Sequence, residues 1–121
     1  MTNLKLRILL DGVVFGPGKA ELLERIRDTG SIAAAGRQMD MSYKRAWMLV
    51  EEMNAAFAAP LVSSARGGPG GGGARLTEAG MAALQHYRDA LLHATQAAAP
   101  AVAALERMLK PRPDTEISGR K

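Results

Sequence analysis

Two serine-led stretches, "SIAAAGRQM" from Ser31 and "SYKRAWMLVEEMNAAF" from Ser42, constrain this chain more than any other feature. Each opens on a residue whose side-chain oxygen can accept from free amides at a helix start. In the second, Ala46, Leu49, Val50, Met53 and Phe57 share one helical face. About three residues separate the two helices, so they must pack directly on one another. Ala33 to Ala35 and then Gly36 supply the small side chains that a close crossing needs. Gly36 costs up to about 1 kcal/mol relative to alanine inside a helix, and packing is the reason for it. At the turn, where glycine would be expected for a left-handed residue, the chain has Asp40, which tolerates that conformation better than most. The spacing predicts a helix-turn-helix.

The flanking sequence predicts what surrounds it. Leu4, Leu6, Ile8 and Leu10 alternate with Lys5, Arg7 and Leu9, the period of a half-buried strand, and Asp11-Gly12 before "VVF" predicts a hairpin. "GPGKAELLERIRDTG" places Ala20, Leu23, Ile26 and Arg27 on helical spacing, with Pro17 near the start and Gly30 as the stop. Further on, "RGGPGGGGARLT" sets six glycines and a proline between Arg66 and Arg75. Such a loop can cradle a nucleotide phosphate, link two units or form a hairpin tip. A nucleotide cradle needs a lysine and a Ser or Thr directly after the glycines, and Ala74-Arg75-Leu76-Thr77 follows instead. "PLVSSAR" and "ARLT" read as short strands on either side, so the glycines become the tip of a wing. After it, Thr77 is a helix N-cap with Glu78 in the first turn, and Met81, Leu84, Tyr87, Leu91, Ala94, Ala98, Val102, Leu105 and Leu109 form a seam. Pro100 is predicted to kink or divide this helix. The expected fold is mainly α with small β elements: a winged helix-turn-helix with an N-terminal strand or hairpin and a long C-terminal dimerisation helix. The chain divides into a DNA-binding domain at 1–76, a dimerisation helix at 77–110 that forms a homodimer, and a disordered tail at 111–121.

A chain of 121 residues with a formal charge of +4 suits an anionic partner, here double-stranded DNA. It has no cysteine, which excludes disulfides and thiolate chemistry and fits the cytoplasm. No segment approaches bilayer-spanning length, so no membrane role is expected. His86 and His93 are too far apart to share a metal, and there is neither a paired carboxylate set nor a nucleophile with its base. No enzyme activity, cofactor or metal is expected. With Ala46, Val50 and Met53 inward, Tyr43, Lys44, Trp47 and Met48 lie opposite, in the half of a recognition helix that meets base edges, while Glu51 and Glu52 come later. Trp47 has two readings, packing or base contact; Lys44 and Arg45 either form a solvated basic face or meet phosphates. Ser31 and Ser42 cap helices where phosphates also bind. Arg66 and Arg75, with the bare backbone at Gly70 and Gly71, suit a sugar-phosphate chain.

"GSIAAAGRQMDMSYKRAWMLVEEMN" followed by "GGPGGGGARLTEAG" resembles the N-terminal DNA-binding domain of the ModE family of molybdate-responsive transcription regulators. LysR-type regulators share only its outline. The resemblance implies a dimeric winged helix-turn-helix on a palindromic operator, with Ser42, Tyr43, Lys44 and Arg45 at the DNA and Arg66 to Arg75 as the wing. Family members that sense molybdate do so through C-terminal oxyanion-binding domains, which the sequence up to Lys121 does not contain. This chain alone is therefore expected to bind no molybdate. Two other readings use the same features: a non-specific DNA-organising protein, and an adaptor that pairs through its long helix with a larger regulator.

Overall fold

The computed structural model describes residues 2–65 and 73–111. A short hairpin comes first, β1 (Ile8–Leu10) against β2 (Val13–Phe15), turning through Asp11 and Gly12 with Gly12 at φ 94°. The expected strand over residues 4–10 is thus confined to its last three residues. Its partner is the reason: β2 is only three residues long and gives way at Gly16 to the next helix, so nothing remains to pair with residues 4–7. That segment is held instead by the Tyr87 hydroxyl, which donates to the Leu6 carbonyl at 2.7 Å, and ahead of it the Thr2 hydroxyl donates to Glu106.

Helix α1 (Pro17–Thr29) begins with proline in its first turn and ends at Gly30, φ 72°, whose amide donates to the Ile26 carbonyl. Ala20, Leu22, Leu23 and Ile26 are buried; Arg27, on the same spacing, is exposed and pairs with Asp28. Helices α2 (Ile32–Gln38) and α3 (Tyr43–Ala56) follow, capped by Ser31 and Ser42. Asp40 stands in the turn at φ 58°, left-handed as expected. A Cβ on Gly36 would sit 3.1 Å from the Ala46 Cβ, with the Met41 and Ser42 carbonyls just behind. Packing is the reason for this glycine.

Strands β3 (Val62–Ala65) and β4 (Gly73–Leu76) pair antiparallel, Val62 opposite Leu76 and Ser63 opposite Arg75. The Ala74 amide donates to the Gly30 carbonyl at 3.0 Å, which fastens this hairpin to the end of α1. One continuous helix, α4 (Glu78–Arg107), completes the fold with Thr77 as cap and Pro100 inside it. Only its first half joins the core. Leu84 and Tyr87 are buried and Leu91 packs against them, whereas Met81, placed on the same seam by its spacing, is exposed, as are Leu92, Leu105, Met108 and Leu109. Phe15 is the hub, its ring 5.4 Å from that of Tyr87 and edge-on to Phe57 at 6.3 Å.

Candidate nucleic-acid interface

Everything that faces outward on α3 depends on how its inner face is seated. Ala46 and Met53 are completely buried and Val50 nearly so, which rolls the opposite surface into solvent. Tyr43, Trp47 and Met48 are 56%, 44% and 50% exposed, large values for such residues, and Lys44 is exposed beside them. Arg45 is exposed on the other flank, where it borders a cleft with Arg7 and Lys19. Trp47 is neither enclosed by the neighbouring helix nor fully in water. A surface of this kind pairs flat apolar groups with cations, the combination that sugar edges, base edges and phosphates accept.

Both serines are caps. The Ser42 hydroxyl accepts from the Arg45 amide at 3.1 Å and Ser31 from the Ala34 amide at 3.0 Å. Ser42 is exposed at the head of α3, whereas Ser31 is half-buried and tied into Thr29, whose hydroxyl donates to the Ser31 carbonyl. Arg75 lies exposed on β4. Arg66, Gly70 and Gly71 lie outside the described residues.

Charge is sorted over the surface. Lys19 pairs with Glu52, Arg25 with Glu21, Arg27 with Asp28 and Arg88 with Glu24. The hydrogen bond from Arg27 holds the Asp28 carboxyl below its usual range, so that pair stays ionised. Among the described residues, Lys44 and Arg45 on α3, Arg37 at the end of α2 and Arg75 on β4 have no acidic partner, nor do Lys5 and Arg7 before β1 or Arg107 and Lys110 at the end of α4 and after it. Glu51 and Glu52 occupy the later turns of α3, and no acid lies in its first turn.

Residues without charge position this surface. Asn54, on the half-buried side of α3, accepts from the Leu61 and Val62 amides at 2.8 and 3.1 Å and donates to the Val62 carbonyl at 3.0 Å. It thereby ties β3 to α3. Nothing local in "EEMNAAF" announces this role. Gly80 does the same for α4: a Cβ there would run into the Leu61 carbonyl, which accepts the Thr77 amide at 2.9 Å and is not free to move. A glycine in the first turn of a predicted helix is a readable sign of close approach.

No helix among the described residues is long and apolar enough to cross a membrane, and no three His, Asp or Glu side chains among them gather as a metal group. The comparison with known families rests on the same elements, since the model of the bacterial regulatory helix-turn-helix proteins of the lysR family matches residues 18–81, from the start of α1 to the first turn of α4. The chain belongs to that family. It is therefore a helix-turn-helix DNA-binding chain of a non-enzymatic regulator family. It is 47% identical over 76 residues to the molybdenum-pterin-binding protein MopB of Rhodobacter capsulatus, an alignment covering 63% of this chain and 28% of that protein. To the DNA-binding transcriptional dual regulator ModE of Escherichia coli it is 42% identical over 71 residues, 59% of this chain and 27% of the relative. The molybdenum transport protein ModE of Azotobacter vinelandii is 37% identical over 90 residues, 72% and 33%. The chain thus spans a third or less of these relatives and is homologous to the ModE, MopA and MopB proteins through its helix-turn-helix region. The family outline and the finer likeness to ModE coincide in one segment.

Proposed function

We propose that the chain is a sequence-specific transcription regulator that reads a palindromic operator as a homodimer, with residues 42–56 in the major groove and the Gly-rich segment 66–75 as the wing. The observation that carries this reading is the outer face of α3, where exposed Tyr43, Trp47 and Met48 stand beside Lys44, with Arg45 on its flank, and where, unlike the cations of α1, neither Lys44 nor Arg45 has an acidic partner among the described residues. Cations free of acidic partners are available to neutralise phosphates of the polyanion. The protein would work in the cytoplasm, and the ModE relatives suggest operators near genes of molybdenum handling.

The roles separate by substitution. Lys44→Ala and Tyr43→Ala are expected to lower the preference for a selected operator over random duplex by about 1 to 3 kcal/mol each, because they remove contacts to base edges. Arg75→Ala is expected to weaken binding to every sequence alike and to reduce the log-log salt slope by about one. Selection from a random-duplex pool followed by footprinting supplies the operator. An unchanged preference in both helix variants sinks the sequence-specific reading and leaves a non-specific DNA-organising protein.

On the seam that runs from Leu84, exposed Leu105 and Leu109 support pairing through the C-terminal end of α4, since apolar side chains there are costly to leave in water. Light scattering is expected to give a dimer mass, and Leu105→Lys a smaller mass with unchanged helicity. The same stripe supports a second reading, an adaptor that pairs with a longer ModE-like regulator. Mixed dimers on co-expression with such a regulator, in place of homodimers, would select it.

A further inference from the structure

At the start of α1 a second basic feature appears, away from the wing. Arg7 lies where the N-terminal segment passes Gly16, and its side-chain stem crosses that residue so closely that a Cβ on Gly16 would stand 3.2 Å from the Arg7 Cγ. Together with Lys19 and Arg45 it borders a cleft of about 310 Å³ whose other walls are Val14, Met41 and Leu49, with no acid among the lining residues. Glu52 neutralises Lys19 at 3.6 Å. Arg7 and Arg45 have no acidic partner among the described residues, and both are exposed. Two guanidinium groups from distant parts of the chain therefore border one small opening beside the recognition helix, one of them guided there by the bare backbone of a buried glycine.

We infer that Arg7 and Arg45 form an oxyanion grip for a phosphodiester of the DNA backbone, on the opposite side of the recognition helix from the wing. The distance between the two basic features follows from α1: its C-cap Gly30 accepts from the Ala74 amide of β4, while its first turn borders the cleft, so they stand about one helix length apart, about 20 Å for 13 residues. A recognition helix seated in a major groove about 12 Å wide has a phosphate chain on either side. The wing meets one and Arg7 with Arg45 meets the other. A guanidinium suits the task because its fixed fork of donors matches two phosphate oxygens. This inference rests on the DNA-binding reading above and adds to it a contact from the N-terminal segment.

The test uses the full chain and a fluorescein-labelled 30-base-pair duplex of random sequence, with anisotropy read between about 50 and 200 mM salt. Arg7→Gln keeps the stem over Gly16 and removes the charge; it is expected to lower the log-log salt slope by about 0.9, one phosphate contact. Arg7→Lys is expected to restore most of that slope, and Arg27→Ala, at a cation already paired with Asp28, to leave it as in the wild type. Wild-type binding with an unchanged slope in Arg7→Gln overturns the grip and leaves the DNA reading standing, whereas a wild type without salt-dependent binding overturns both. Calorimetry with inorganic phosphate separates the two sources of a tetrahedral oxyanion. Saturable phosphate binding that Arg7→Gln abolishes, with no change in the DNA slope, marks a free-anion site and overturns the backbone grip.

Discussion

Two junctions hold this molecule together, and glycine makes both, yet they differ in what stands opposite. At the α2–α3 junction Gly36 faces the Ala46 methyl, with the Met41 and Ser42 carbonyls slightly further off. At the junction of β3 with α4, Gly80 faces the Leu61 backbone, pinned by the Thr77 amide, and Thr77 itself donates through its hydroxyl to the Pro60 carbonyl at 2.6 Å. At Gly36 the approach is a tight contact that a shift of α3 by a few tenths of an ångström relieves, whereas at Gly80 the carbonyl stands far inside contact distance and is held by the Thr77 amide. The helix-turn-helix is thus the more forgiving of the two seats. The attachment of α4, which carries no proposed DNA contact, is the stricter.

Substitutions can break that comparison. Gly80→Ala should cause the largest loss, about 3 kcal/mol, because α4 must lift from Leu61 and uncover Leu84 and Tyr87; urea unfolding reads it directly. A cost below about 1 kcal/mol would show that the junction is soft. Tyr87→Phe tests the second anchor of α4. Loss of the hydrogen bond to Leu6 should cost about 1 kcal/mol at neutral pH. Burial raises the Tyr87 hydroxyl above its ordinary value of 10.0, so the folded state favours the neutral phenol. Its contribution is then complete below pH 10 and is lost as pH rises through the folded value. Stability measured up to pH 11 should fall more steeply in the wild type than in Tyr87→Phe. Gly36→Ala should have the smallest effect on stability, within about 1 kcal/mol, since the helix propensity gained offsets the strain at Ala46. Its sharper effect should be on operator preference, because any shift of Ala46 moves the whole outer face of α3.

The helix-turn-helix is legible in sequence because its determinants are local. Ser31, Ser42, Gly36 and Asp40 each act within a few residues of themselves, and all four stand in the conformations their chemistry predicts. The inward face of α3 follows from its periodicity for the same reason. Contacts distant along the chain left no such trace. Asn54 reads as an ordinary polar residue, yet its amide satisfies three backbone groups, one of Leu61 and two of Val62 at the start of β3. Of the alternation from Leu4 to Leu10 only the last three residues form a strand, because the pattern says nothing of the length of its partner and β2 ends too early to pair with all of it. The seam on α4 is a true helical stripe, but periodicity cannot reveal which of its residues the chain's own core consumes. Leu84 and Tyr87 are taken internally, and Leu105 and Leu109 remain outside.

The bond between Tyr87 and the Leu6 carbonyl also sets an order on biosynthesis. These two residues are 81 positions apart, and at ribosomal speeds of about 5 to 20 residues per second Leu6 leaves the peptidyl-transferase centre about 4 to 16 s before Tyr87 is made. Once made, the β1–β2 hairpin has no α4 to rest on until then, and Phe15 lacks both flanking rings until Phe57 is made and one of them until Tyr87 follows. The nascent chain therefore carries an uncovered aromatic until translation is well past the wing, and this is the window in which a ribosome-associated chaperone has something to hold.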